Sequence, residues 1–151
     1  PLLIECSVYA VIVGTLSSTL TRQVLETIHA AAVLPLAATE KMGAITGIFV
    51  SAGAGLHEEF VFRLVGIGGV ARAWLGPKWH EQLGKVALIV VVSSLLFSAV
   101  HHIVEDFAFQ VFLFRTIAGL VFAVLYLLRG FAVAAWTHAL YDVWVIVILG
   151  V

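Results

Sequence analysis

The sequence predicts an all-α, polytopic membrane protein, a bundle of about five transmembrane helices. Three observations carry this. Of 151 residues, 62% are hydrophobic and only 11% charged, whereas soluble domains carry about 25% charged residues. The mean hydropathy is +1.13, too high for a surface that water must cover. The apolar residues also fall in runs approaching the ~20 that cross the hydrocarbon core.

The first run is Leu2–Leu20, with Glu5 near its start. Between Arg22 and Lys41 lies a shorter apolar piece, Val24–Ala38, interrupted by Glu26, His29 and Pro35. It reads as an interfacial or half-depth segment. A second helix is expected from near Met42 through Gly55 and the polar cluster at Glu58, Glu59 and Arg63, fading near Ala71. Its small residues Gly43, Gly47, Ser51 and Gly55 recur every fourth position, a spacing that lets two membrane helices approach closely.

Arg72–Lys85 is the most water-compatible stretch, with Gly76-Pro77 as a breaker and Trp74 and Trp79 as interface anchors. Val86–Val104 spans next, and Glu105-Asp106 turns the chain into Phe107–Leu128, which carries Arg115 in its middle. Arg129-Gly130 forms a tight hairpin into Phe131–Val151. Counting alternate loops puts Arg72, Lys78, Lys85 and Arg129 on one side, against Arg22 and Lys41 on the other. The positive-inside rule makes the first side cytoplasmic.

Several classes of function are disfavoured. A net charge of -1 without a basic run offers no phosphate-tracking patch, so no nucleic-acid partner is expected. The single cysteine, Cys6, excludes an internal disulfide and a thiolate metal site. The chain opens at Pro1 without a basic region ahead of a short apolar stretch, so no signal peptide is expected. The bundle reads as one membrane-embedded domain over 1–151, a piece of a larger bundle, with its chemistry within 42–151.

A charge near the bilayer centre costs roughly 3 kcal/mol, so membrane-depth ionisable residues are functional candidates. Three clusters stand out. In His57-Glu58-Glu59-Phe60-Val61-Phe62-Arg63, Glu59 and Arg63 are one helical turn apart and can pair. Glu58 points about 100° away, left without that partner. If desolvated it suits a general base; at a solvated helix end it is inert. In Phe97-Ser98-Ala99-Val100-His101-His102, His101 shares a face with Phe97, and each histidine is either a hydrogen-bonded structural residue or part of a site. In His138-Ala139-Leu140-Tyr141-Asp142 the imidazole and carboxyl meet side by side. Either Asp142 fixes the tautomer of His138, or both face the other clusters. Arg115 reads as a structural counter-ion to Glu105, Asp106 or another helix's acid.

In this order, on successive membrane helices, Glu58-Glu59-x-x-x-Arg63, Phe97-x-x-x-His101 and His138-x-x-x-Asp142 resemble the CAAX prenyl protease family. That family also takes in bacteriocin-processing enzymes and is labelled CPBP or Abi. The resemblance covers roughly Met42 to Val151. It implies an intramembrane endopeptidase in which a glutamate activates water. Glu58 would be the base and His101 would help hold the water, while His138 and residue 142 would stabilise the oxyanion. Glu59, Arg63 and Phe97 would support them. Family members often carry Asn at the last place. Asn donates a hydrogen bond at any pH, whereas Asp142 donates only when protonated.

The resemblance implies no cofactor and a peptide or protein substrate at the bilayer, in a prokaryotic cytoplasmic membrane. A metal-dependent variant of the hydrolase would hold zinc or iron on Glu58, His101, His138 and Asp142. A non-catalytic scaffold, immunity or proton-relay protein is the reading from another class, since buried Glu and His also serve proton relays.

Overall fold

The computed structural model describes residues 1–28 and 43–149, and these are helical throughout apart from short connections. Helix α1 (Leu2–Thr27) runs past the expected Leu20. The extension is amphipathic, and Arg22 donates to Glu26 one turn on at 2.7 Å. Hydroxyls along α1 turn back on their own helix, as in Ser7 to Leu3 O (2.8 Å) and Ser18 to Gly14 O (2.7 Å). That satisfies them where no water is available. Of the expected interfacial piece, Val24–Thr27 close α1; its remainder beyond Ile28 lies outside the described residues.

Helix α2 (Ala44–Glu59) continues without a break as π-helical turns (Phe60–Gly69) and then as α3 (Val70–Leu75). The single helix expected to fade near Ala71 therefore extends to Leu75, and its middle is wound more widely. Ser93 of the neighbouring helix donates to the Phe62 carbonyl at 2.7 Å, supplying a partner within these turns. Such π segments cluster at functional sites. Gly76, at φ 81, ends α3 ahead of Pro77.

After a 3-10 turn (Trp79–Glu81), α4 spans Leu83–His101, three residues earlier at both ends than Val86–Val104. Helix α5 (Phe109–Arg129) follows, and Gly130 at φ 84 makes the expected hairpin into α6 (Phe131–Asp142). Helix α6 also continues as π-helical turns, Val143–Leu149. Trp74 is exposed as an anchor should be, whereas Trp79 packs against the cluster of Ile67, Ala71 and Ile89.

Three helices are long and apolar enough to cross a membrane: α1, α4 and α5. Their outward faces carry exposed Leu, Ile, Val and Phe, and the polar residues are turned inward. This reversal of a soluble protein is expected with lipid as solvent. The chain is an integral membrane protein.

The small-residue stripe of α2 meets α6 as its spacing predicts. A Cβ added at Gly55 would lie 2.6 Å from the Ala139 backbone nitrogen, and one at Gly47 would lie 2.8 Å from the Val147 side chain. The two helices therefore cross antiparallel with backbones nearly in contact. Gly43, the first of the stripe, faces open space. Helix α5 is central, its Ala118, Phe122 and Leu125 packing against Val13 of α1 and Ala134 of α6. Glu5 forms an ion pair with Arg129, and Gly68 approaches the Tyr126 hydroxyl. These contacts set Arg129 at the same end as Arg72, Lys78 and Lys85, as the loop count requires. Arg22 lies at the far end of α1; Lys41 is outside the described residues.

Candidate active site

Crossing α2 over α6 at Gly55 brings the end of α2 against the middle of α6, and Glu58 and Glu59 project there. Adjacent on a helix, they diverge by about 100°, and the surroundings treat them differently. The Glu59 side chain is 0% exposed, whereas that of Glu58 retains 23%. Glu59 points into protein; Glu58 points at the space between helices.

Glu59 and Arg63 pair as their spacing predicts, with Oε1 and Nη1 3.1 Å apart. The guanidinium is held from two further sides. Its Nη2 donates to the Gly119 carbonyl at 3.2 Å, and its carbon lies 4.4 Å above the centre of the Phe97 ring. The pair is buried, so it is anchored chiefly by the protein around it. The same Glu59 oxygen accepts from His138 Nδ1 across the helix crossing at 2.9 Å. His138 is stacked on Phe122 at 4.4 Å and meets Phe97 edge-on at 5.9 Å.

This corrects one reading of the sequence. Asp142 does not fix the tautomer of His138: Glu59 holds Nδ1, and Asp142 Oδ2 lies 3.7 Å from Nε2. With Nδ1–H given to Glu59, the Nε2 atom faces the open side. His101 is oriented the same way by a different partner. Its Nδ1 donates to the Phe97 carbonyl at 2.8 Å, which leaves Nε2 free to accept.

Glu58 lies between these two nitrogens. Its Oε1 is 3.6 Å from His101 Nε2, and its Oε2 is 3.6 Å from His138 Nε2. Both gaps are too long for a direct hydrogen bond, and both leave room for a water about 2.8 Å from each partner. The structure thus brings together Glu58, Glu59, Arg63, Phe97, His101, His138 and Asp142. His102 is turned away, with Nδ1 on the Asp106 carbonyl at 3.3 Å and its ring against Phe107.

Three neighbours were not expected from the sequence: Gly119, Phe122 and Ser93. All sit in uninterrupted apolar or small-residue runs, where nothing distinguishes them from core. Among the described residues, no group of three or more His, Cys, Asp or Glu has metal-holding geometry. Of the four residues weighed as metal ligands, two have the imidazole Nδ1 committed to protein acceptors, Glu59 and the Phe97 carbonyl.

Arg115 finds the partner expected of a counter-ion. It grips Glu105 in a two-pronged pair at 2.7 and 3.1 Å. In the loop after α4, the Arg115 hydrogen bonds hold the Glu105 carboxyl below the usual carboxylate range.

A helical membrane bundle with a carboxylate between two oriented imidazoles defines a class, the polytopic membrane hydrolases of Glu/His type. The family model described as type II CAAX prenyl endopeptidase Rce1-like matches residues 40–144. The chain belongs to this family of membrane peptidases. No curated protein and no solved structure matches it.

Proposed function

We propose that the protein is an intramembrane endopeptidase that hydrolyses a peptide bond near the membrane surface with water activated by Glu58. One observation carries this reading: the two Glu58 oxygens each stand 3.6 Å from a histidine Nε2 whose ring is fixed from its other side.

A water between Glu58 and His101 donates one hydrogen to the carboxylate and one to the bare Nε2. Its lone pair is then directed at a substrate carbonyl carbon. Glu58 takes a proton as the oxygen attacks, forming a tetrahedral intermediate. It returns that proton to the amine nitrogen as the C–N bond breaks, yielding a carboxylic acid and an amine. His138 supports the oxyanion through Nε2–H in its imidazolium form, with Nδ1–H kept on Glu59. Glu59, Arg63, Phe97 and Phe122 hold the imidazole rather than touch substrate.

Water activation here is assigned to Glu58 without a metal, and the partners are a peptide or protein and the bilayer, in a prokaryotic cytoplasmic membrane. Purified protein in liposomes, given a prenylated CAAX peptide, tests the proposal. Glu58→Gln and His138→Ala are each expected to lower cleavage by 100-fold or more, on the order of a lost base or oxyanion donor. Undiminished activity in either variant overturns it.

A further inference from the structure

Arg115 is an arginine at membrane depth whose present partner is a loop carboxylate. Its level in the bundle is fixed by three contacts. Ser98 donates to the Phe112 carbonyl at 2.7 Å, and the Gly119 Cα faces Ser94 and Phe97 closely enough that a Cβ would meet both near 3.2 Å. Helices α4 and α5 therefore run antiparallel in a register that sets Arg115 level with His101. Arg115 also lies one turn from Gly119, whose carbonyl receives Arg63, so it shares the face of α5 that looks at the site. The Glu105 amide donates to the His101 carbonyl at 3.2 Å. The Arg115–Glu105 pair thus stands at the rim of the site beside His101.

The two arginines at the site differ in what they can do. Arg63 is 1% exposed and sealed behind Glu59, while the Arg115 side chain is 24% exposed and its partner Glu105 48%. An ion pair so exposed contributes roughly 0–1 kcal/mol and is readily exchanged. The guanidinium fork matches a carboxylate in two places at once. The site itself is lined by Glu58, Glu59 and Asp142, so an anionic group entering it is repelled unless a cation receives it.

We propose that Arg115 is a carboxylate-binding subsite, which releases Glu105 to take the free C-terminal carboxylate of the substrate. Glu105 occupies the fork when substrate is absent. Neighbouring helix axes lie about 8–10 Å apart, and a stub of three residues spans roughly 10 Å. A chain cut at the Glu58 water and ending about three residues later reaches the fork. The inference rests on the peptidase reading above.

The probes are one farnesylated CAAX peptide, its C-terminal carboxamide, and an amide carrying an internal Glu at the last position. Binding to the Glu58→Gln protein in liposomes is read by fluorescence anisotropy, and cleavage is read with the wild type. The free acid is expected to bind at least ~10-fold more tightly than the amide, as a charged bidentate hydrogen bond implies. Arg115→Gln collapses that ratio toward one. Glu105→Gln lowers KM for the acid, because the competing carboxylate is gone.

Equal binding of acid and amide by the wild-type site overturns the inference. So does an unchanged KM for the acid in Glu105→Gln, a variant that leaves Arg115 in place should Arg115→Gln fail to fold. If the Glu side chain restores the amide's binding, the subsite reads any carboxylate and the C-terminal assignment fails. Binding of the acid with no wild-type cleavage of any probe would instead sink the peptidase reading alone.

Discussion

His138 Nδ1 and Glu59 Oε1, from helices that cross at Gly55, are joined by a buried hydrogen bond of 2.9 Å. Because Glu59 also meets Arg63, the three form a line from the Gly119 carbonyl through the guanidinium and carboxylate to the imidazole. The line ends on Nδ1 and leaves Nε2 facing Glu58. Two adjacent glutamates thus divide the work, one fixing the imidazole and the other facing the space it looks into.

Glu59→Ala is therefore expected to act on stability and activity together. It strands Arg63, 1% exposed, as an uncompensated buried charge, a change that costs about 3–5 kcal/mol. Thermal unfolding in detergent should fall accordingly. The double variant Glu59→Ala/Arg63→Met should recover much of the stability but not the activity, because His138 still lacks its Nδ1 acceptor. Recovery of both would remove Glu59 from the site.

Asp142 offers a contrasting outcome. It orients nothing that Glu59 and Phe122 do not already hold, and it faces Nε2 at 3.7 Å. Asp142→Asn keeps the shape and adds an amide donor that works at every pH. Activity of at least the wild-type level is expected, with the alkaline side of the pH profile flattened. A loss of about 10-fold or more in kcat would show that the carboxylate itself is required.

Much of this was legible in the sequence. Hydrophobic runs gave the helices, and the i, i+4 spacings placed Glu59 by Arg63 and His101 on the face of Phe97. The stripe Gly47, Ser51, Gly55 announced a close crossing. What spacing could not carry was contact between helices. Glu59 and His138 are 79 residues apart, and no local pattern says which acid an imidazole will choose. The nearer Asp142 was the natural partner by spacing, but the crossing at Ala139 turns Nδ1 toward α2. The π-helical turns were equally hidden. They depend on Ser93, a hydroxyl in an apolar run whose acceptor lies 31 positions away.

The Glu105–Arg115 pair carries a pH dependence whose sign is fixed. The Glu105 carboxyl is held below its usual range by the Arg115 hydrogen bonds. Its contribution to local order is therefore present above the unfolded carboxylate value, about 4.3, and is lost as pH falls through the lower folded value. Amide exchange at Glu105, whose N–H donates to His101, should quicken below about pH 4. Glu105→Gln should remove that dependence. Exchange that stays pH-dependent in the variant would place the titrating group elsewhere.

The crossing itself can be tested with a pair of glycines two positions apart on α2. At Gly55 a Cβ would lie 2.6 Å from the Ala139 nitrogen and 2.9 Å from its Cα, and backbone cannot move aside as a flexible side chain can. At Gly53 a Cβ meets nothing within 4 Å. Gly53→Ala should leave the midpoint of unfolding unchanged or raise it, since alanine favours helix by about 1 kcal/mol. Gly55→Ala should lower stability by about 1–3 kcal/mol, the cost of overpacking. It should also impair cleavage, because parting α2 from α6 stretches the 2.9 Å bond between Glu59 and His138. Equal behaviour of the two variants would mean that the helices do not touch here, and that the residues they carry are not held together by this crossing.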